Sequence, residues 1–470
     1  VDPFSSATEL ASDIRARRLS PVEVLDACLD RVDRLNPALR AVIWRNDNEA
    51  RDRARELADT IAGGTDDLPA FAGVPIPIKD LTPVAGWPLT YGSNAAPAEV
   101  GTEDELVVAA LRRAGFNVTG RTNTPEFGPI PATENVRYGV TRNPWDPSRT
   151  PGGSSGGAAA AVAAGMFPIA HGNDGGGSIR IPASCTGLVG LKAARGRVPA
   201  IVPGWLGASV EGVLARTVAD AAGALDAISG PDPLCWNNAP APGRPFACEV
   251  GADPGALRVA VLTRAPLGIP VHETAQAGAL RAGSQLERMG HHVEEVDFEL
   301  FGVEVLASFV PLMNAAFGDY DGIDVARMEP HNVASYRAGQ AVDSLTLVRA
   351  LGELQRISRE IVARWGRDFD LLVTPTTAIL PPPAGSILHQ VHDDPGGMPM
   401  DVLSMAIFTA PFNVSGQPAV SVPLHQGANG IPVGVQLVAG PWQEHLLIQV
   451  ASQLEQADPW RDRRPHFPED

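Results

Sequence analysis

Residues 152–192 read GGSSGGAAAAVAAGMFPIAHGNDGGGSIRIPASCTGLVGLK. Two serine sites sit among glycines in this run, Gly152-Gly153-Ser154-Ser155-Gly156-Gly157 and Gly175-Gly176-Gly177-Ser178, with Ser154 and Ser178 24 positions apart (178 − 154). Glycine admits φ > 0 and lets backbone N–H groups crowd around a reacting atom. A serine flanked by such groups meets the needs of acyl transfer, a nucleophile with an oxyanion hole beside it. Gly/Ser clusters also form linkers and tight turns. Three features set this run apart from a linker. An alanine-rich helical stretch at 158–164 separates the loops, each loop precedes an apolar segment, and the second runs directly into Ser178-Ile179-Arg180-Ile181-Pro182.

Upstream, Gly73-Val74-Pro75-Ile76-Pro77-Ile78-Lys79-Asp80 is a short apolar run ending in a lysine and an acidic residue. Between it and the serines stand Thr122-Asn123-Thr124-Pro125-Glu126-Phe127 and Thr141-Arg142-Asn143-Pro144-Trp145. Near the C-terminus stand Asn413-Val414-Ser415-Gly416-Gln417-Pro418-Ala419 and Gly430-Ile431-Pro432-Val433-Gly434-Val435-Gln436. Taken together, these segments resemble the amidase signature family of serine hydrolases. The resemblance covers most of the chain and is weakest across 300–404. Within the family, the run from His171 through Asp174 and Arg180 to Pro182 is similar to actinobacterial amidases and to the hydrolase of nylon cyclic dimers.

The resemblance implies a Ser–cis-Ser–Lys triad. Ser178 would be the nucleophile, Ser154 the bridge, entered by a cis peptide, and Lys79 the base. The backbone N–H groups of Gly175, Gly176, Gly177 and Ser178 would hold the oxyanion, with Ser155, Asp174 and Arg180 in support. Gly175 stands where many members carry Thr or Ile, so a looser or wider loop is expected. Lys192-Ala193-Ala194 departs from the common Lys-Pro-Thr and is expected to be structural. Lys79 must be neutral to act as a base. A free lysine titrates near ~10.4, and burial behind 74–78 would lower that toward the ~7–8 useful for a general base.

The fold implied is α/β, one compact domain over 1–470 with a large central mixed sheet covered by helices on both sides. Its core signature spans about 73–200, and its variable pocket region about 300–404. The activity implied is an amidase acting on C–N bonds of linear amides, with no cofactor and no metal. A small to medium apolar or aryl amide is the expected substrate, and esters and carbamates share the acyl-enzyme route. Phe127, Trp205, Leu206 and Met313 are the candidate pocket residues. The family also holds the A subunit of the tRNA-dependent amidotransferase, which works inside a complex and is the alternative.

Gly152-Gly153-Ser154-Ser155-Gly156 also fits the G-x-S-x-G nucleophile elbow of α/β-hydrolases, with His331, His425 or His445 downstream. That elbow needs a strand before it, whereas 143–149 reads as a loop, and it leaves Lys79 and Ser178 unexplained. His291-His292-Val293-Glu294-Glu295 is not a zinc motif and reads as an edge strand. His389 and His392 fall in an expected loop, and His171 reads as a hydrogen-bonded core histidine.

The 470 residues carry 54 acidic and 37 basic side chains, a net charge of −17, which disfavours nucleic-acid and anionic-membrane partners. Small-molecule amide is the expected partner, and a homodimer stays open. The four cysteines, Cys28, Cys185, Cys235 and Cys248, lack zinc spacing and suit a reducing compartment. Cys185 reads as a small buried hydrophobe. The start, Val1-Asp2-Pro3-Phe4, has no signal-peptide pattern, and no apolar run reaches the ~20 residues of a membrane span. The expected location is cytoplasmic.

Ser20-Pro21-Val22-Glu23 is a capping box with proline at the first helical position, followed by the apolar face Leu25, Cys28, Leu29, Val32 and Leu35. Residues 102–105 form a second expected box, for a helix stopping at Gly115. Strands are expected at 74–78, 117–119, 167–170, 259–262, 371–373 and 419–422. Their alternation with helices argues for an α/β fold and by itself also allows two domains. Residues 231–245 and 381–399, rich in proline, read as long surface loops.

Overall fold

Apolar runs of four to eight residues, bounded by glycine and proline, are long enough to pair as strands and too short for stable helices. A computed structural model, which describes residues 1–65, 67–97 and 100–466, bears this out. The strands are β1 (Val42–Arg45), β2 (Pro75–Lys79), β3 (Asn117–Thr122), β4 (Glu134–Asn135), β5 (Gly139–Val140), β6 (Ile169–Asp174) and β7 (Val189–Lys192). They continue with β8 (Val210–Ala215), β9 (Arg258–Val261), β10 (His292–Glu295), β11 (Leu371–Pro375), β12 (Ala419–Gln426) and β13 (Pro432–Ala439).

Eight of them form one mixed sheet in the order β10-β9-β11-β13-β12-β7-β8-β6. The β10, β9 and β11 pairings are parallel, and those from β11 through β13, β12, β7 and β8 to β6 are antiparallel. A three-stranded sheet, β1-β3-β2, lies alongside, with β2 packed against the edge strand β6. Alternate residues of each strand enter different cores, as the strand period of two requires. Val259, Val261, Leu371, Val373, Val435 and Leu437 pack with the helices Val218–Ile228, Glu273–Arg288 and Glu444–Ala457. Ala260, Leu372 and Val438 face the opposite layer, where they meet Phe309, Leu312, Leu354 and Ile357 of the helices Glu304–Ala315 and Ser344–Val362. The large mixed sheet with helices on both faces is therefore the architecture, as expected. The strand His292–Glu295 is the sheet edge foreseen for the histidine-rich run.

The helix Pro21–Leu39 forms the expected capping box at Ser20 and Glu23 and buries Leu25, Cys28, Leu29 and Val32. The second box does not form. The helix begins at Leu106 after an N-cap Glu105 without a side-chain cap, because Glu105 Oε1 accepts the Ile201 N–H at 2.8 Å instead. Residues 231–245 hold neither helix nor strand, as read from the sequence. The loop expected at 381–399 is interrupted by the helix Ser386–Asp393, which therefore carries His389 and His392. Its Ile387 and Val391, one turn apart, are buried against Ile130 and Ala132, and this tertiary contact outweighs the flanking prolines. Among the described residues no helix is long and apolar enough to cross a membrane.

Candidate active site

Lys79 is the last residue of β2, and Asp174 the last of β6. Packing β2 against β6 brings the lysine to the glycine-rich loop that follows Asp174. A backbone contact fixes the approach, the Lys79 N–H donating to His171 Nδ1 at 3.3 Å. His171 is fully buried, and its Nε2 lies 2.8 Å from Glu211 Oε2, so it is the hydrogen-bonded core histidine expected.

The Lys79 side chain is fully buried. Its Nζ lies 2.8 Å from Ser154 Oγ and 2.7 Å from Asn173 Oδ1. Burial removes water from the ammonium and lowers the lysine pKa to about 7, against the opposing pull of Glu211 and Asp174. Asn173 Oδ1 is an acceptor only, so it takes an Nζ–H and leaves the amine lone pair for the Ser154 hydroxyl. Asp80, also buried, accepts the N–H groups of Thr90 and Gly92 and the Thr90 hydroxyl, and lies 3.6 Å from Arg121 Nε. It thereby ties the segment after the lysine back onto the fold.

The peptide between Gly153 and Ser154 is cis. Ser154 precedes the helix Gly156–Ala163, whose eight small residues are all buried. Gly156 and Gly157 lie so close to Thr133 Oγ1 and the Asn123 backbone that any side chain there would clash. Ser155 joins the two serine loops. Its N–H donates to the Ser178 carbonyl at 3.2 Å and its Oγ to the Asn173 carbonyl at 3.2 Å. Ser154 and Ser178 line one cavity of about 270 Å³. Their hydroxyls are not hydrogen-bonded to each other. Ser154 follows a loop rather than a strand, and none of His331, His425 and His445 lines the cavity, so the nucleophile-elbow geometry is absent.

Asp174 braces the glycine loop that follows β6. Its Oδ1 accepts the Gly177 N–H at 2.8 Å and its Oδ2 the Ile179 N–H at 3.2 Å. Arg180 grips the same carboxylate with Nη2 and Nε, at 2.8 and 2.9 Å. Burial alone would raise the Asp174 pKa, but the Arg180 charge and hydrogen bonds drive it far below the usual carboxylate range. Arg180 also donates to Gln436 Oε1, Asn413 Oδ1 and the Thr409 carbonyl, and Asn413 Nδ2 returns to Asp174. The C-terminal motifs thus act as the anchor of this ion pair. Lys192 donates to the carbonyls of Ala193 and Gln417 in the same layer, in keeping with a structural position.

Two expectations about the loop need correction. Gly177 donates its N–H to Asp174, which leaves Gly175, Gly176 and Ser178 as the loop N–H groups without an acceptor among the described residues. Gly177 itself has φ +128°, and a Cβ there would meet Thr409 Oγ1, so only glycine fits. Gly175 does not loosen the loop. The Trp205 indole fills the space, at 2.7 Å from where a Cβ would stand.

The cavity wall includes Phe127 and Trp205, together with Leu81, Tyr91, Ala316 and Tyr320. Leu206 and Met313 are not part of it. Trp205 and Leu206 both have positive φ, and this turn sends Leu206 to solvent at 54% exposure. Met313 packs with Phe309 and Leu312 in the core beneath the helix Glu304–Ala315. Tyr91, Phe127 and Tyr320 make an aromatic corner with ring centroids 4.9–5.9 Å apart. Tyr91 and Tyr320 come from distant loops, and no local motif marked them. Asn173 was inside the quoted run, and its acceptor role became evident only beside Lys79. The lining acids are Glu105 and Glu211, both hydrogen-bonded within the protein. Cys185 is buried, and its thiol is pushed up to about 12 by burial, the behaviour of an inert hydrophobe.

The chain is 38% identical over 493 residues to 6-aminohexanoate-cyclic-dimer hydrolase of Pseudomonas sp. (strain NK87), covering 99% of this chain and 97% of that protein. A solved structure of 6-aminohexanoate cyclic dimer hydrolase complexed with substrate superposes with a TM-score of 0.92 at 34% identity, covering 99% of both chains. A bacterial aryl acylamidase of the amidase signature enzymes matches with a TM-score of 0.89 at 27% identity, covering 99% of both. The amidase family model spans residues 23–448, and with these likenesses the chain belongs to the amidase signature family, whose enzymes hydrolyse C–N bonds of amides.

Proposed function

We propose that this chain is a stand-alone cytoplasmic amidase that cleaves a small to medium amide through an acyl-enzyme on Ser178. The observation that carries the reading is a fully buried Lys79 whose amine lies 2.8 Å from Ser154 Oγ, in a cavity shared with Ser178. Neutral Lys79 takes the Ser154 proton as Ser154 takes that of Ser178, and Ser178 Oγ attacks the carbonyl carbon. Such contacts tighten in the substrate complex. The tetrahedral oxyanion accepts hydrogen bonds from the N–H groups of Gly175, Gly176 and Ser178, which gain more from the charged oxygen than from the neutral carbonyl. Collapse breaks the C–N bond, and the proton returns through Ser154 to the leaving amine. Water then attacks the acyl-enzyme by the same relay in reverse and frees Ser178.

The aromatic and aliphatic wall suits an apolar acyl or leaving group, including an aryl amide. Similarity to a cyclic-dimer hydrolase extends the class to cyclic aliphatic amides, and esters and carbamates follow by the same acyl chemistry. The test is a rate comparison of the isolated chain on an aryl amide, its ester, its carbamate and a cyclic aliphatic diamide. Amide turnover, abolished in a folded Ser178→Ala variant, is the expected result. Near-normal turnover by Ser178→Ala would sink the nucleophile assignment. Silence on all four would shift the reading to the amidotransferase A subunit, which needs partners.

A further inference from the structure

His331 presents an unusual situation for a core side chain. The residue is 6% exposed, and neither ring nitrogen has a hydrogen-bond partner. A buried imidazole left in that state costs desolvation that nothing recovers. Two further donor groups face it. Glu329, 5% exposed, uses Oε1 to accept the Val136 N–H at 2.7 Å and keeps Oε2 for the interior. That Oε2 lies 3.9 Å from His331 Nδ1 and 3.3 Å from His392 Nε2. One donor atom from each of the three residues lies within 4.8 Å of the others. None of the three lines the serine cavity.

We propose that Glu329, His331 and His392 form a binding site for one divalent transition-metal ion, with zinc the best match to the donor set. Two imidazoles and one carboxylate are a zinc-type combination, with bonds of about 2.0–2.2 Å. Ligands at those lengths stand about 3.3–3.5 Å apart around a tetrahedral ion. The 3.3 Å pair already meets that spacing; the 3.9 Å pair and the two imidazoles, whose donor atoms lie within 4.8 Å, would draw together by ring rotation. His392 is 26% exposed, so the ion has a route in from solvent.

The ion would be a staple and not part of the amide chemistry. Glu329 and His331 flank the start of the helix Pro330–Gln340, and His392 lies on the helix Ser386–Asp393. The Glu329 N–H and Asn332 Nδ2 both bind the Glu126 carboxylate, one residue from Phe127 of the cavity wall. Met328 belongs to the same buried cluster as Phe127. Bound metal would therefore pin two helices of the variable region behind the aromatic corner.

The test uses the full chain, stripped with chelator and titrated with Zn²⁺ by calorimetry, with metal content measured after dialysis. One zinc per chain and a higher Tm are expected. Co²⁺ in its place should give the visible spectrum of a four-coordinate ion. His392→Gln, at a partly exposed position, should weaken zinc binding at least ~10-fold. His331→Gln should do the same, and if it fails to fold the His392→Gln comparison decides alone. Absence of stoichiometric zinc in the wild type overturns the proposal, as does unchanged affinity in folded His392→Gln.

Discussion

Replacing Asn173 by aspartate exchanges one neutral acceptor for an anion at 2.7 Å from Lys79 Nζ, with almost no change of shape. Burial sets the Lys79 pKa at about 7, so about half the amines are neutral at pH 7. With the neutral amine as base, as proposed, kcat/KM should rise with pH through about 7 and level off above it. A carboxylate beside the ammonium favours the charged form, typically by about 1–3 pH units. Taking the middle of that range moves the limb to about 9 and cuts the neutral fraction at pH 7 to ~1%. Asn173→Asp should then lose about 50-fold in kcat/KM at pH 7 and recover most of it near pH 10. The assay is kcat/KM for an uncharged amide from pH 5 to 10, with circular dichroism confirming the fold. A profile that overlays the wild type would refute the reasoning, as would a loss equal at every pH. The first outcome would mean that Lys79 is not the titrating base, the second that Asn173 contributes only a hydrogen bond.

Arg180→Met leaves the Asp174 carboxylate buried without its cation, so unfolding in urea should show a loss of about 3–5 kcal/mol; a change below ~0.5 kcal/mol would remove the ion pair from the loop's support. Gly175→Val drives a side chain into the Trp205 indole and should cost about 1–3 kcal/mol and much of the turnover. Adding Trp205→Ala should restore part of both, and a double-mutant cycle with no coupling would break the proposed complementarity. Trp205→Ala alone enlarges the cavity and should raise kcat/KM for bulkier amides relative to small ones; an unchanged ratio would place Trp205 outside the substrate path.

Lys79, Ser154 and Ser178 are singled out by the resemblance of their motifs to a known family, since a Gly/Ser run or a lysine after an apolar stretch alone suits a turn or a surface position equally well. Asp174 and Arg180 are singled out by the same resemblance, and the loop between the end of β6 and the next helix brings them into an ion pair. Leu206 and Met313 were misplaced because side-chain direction depends on context. A positive-φ turn aims Trp205 inward and Leu206 outward, and the helix Glu304–Ala315 presents Met313 to its own core. Residues 102–105 had the pattern of a cap, but Glu105 found its partner at Ile201, far along the chain. The helix at Ser386–Asp393 was hidden by flanking prolines and is stabilised by Ile387 and Val391 packing on a neighbour.

What the sequence by itself determined is local: two glycine loops able to expose N–H groups, a lysine closing an apolar strand, and the alternation that implies a sheet between helices. Only the tertiary structure decided that Lys79 meets Ser154 and Asn173, because that contact requires β2 to dock on β6. It also decided that Lys79 titrates near 7, since a lysine loses its charge only where the fold excludes water. The gathering of Glu329, His331 and His392 is of the same kind, for residues distant in the chain become neighbours only when helices pack.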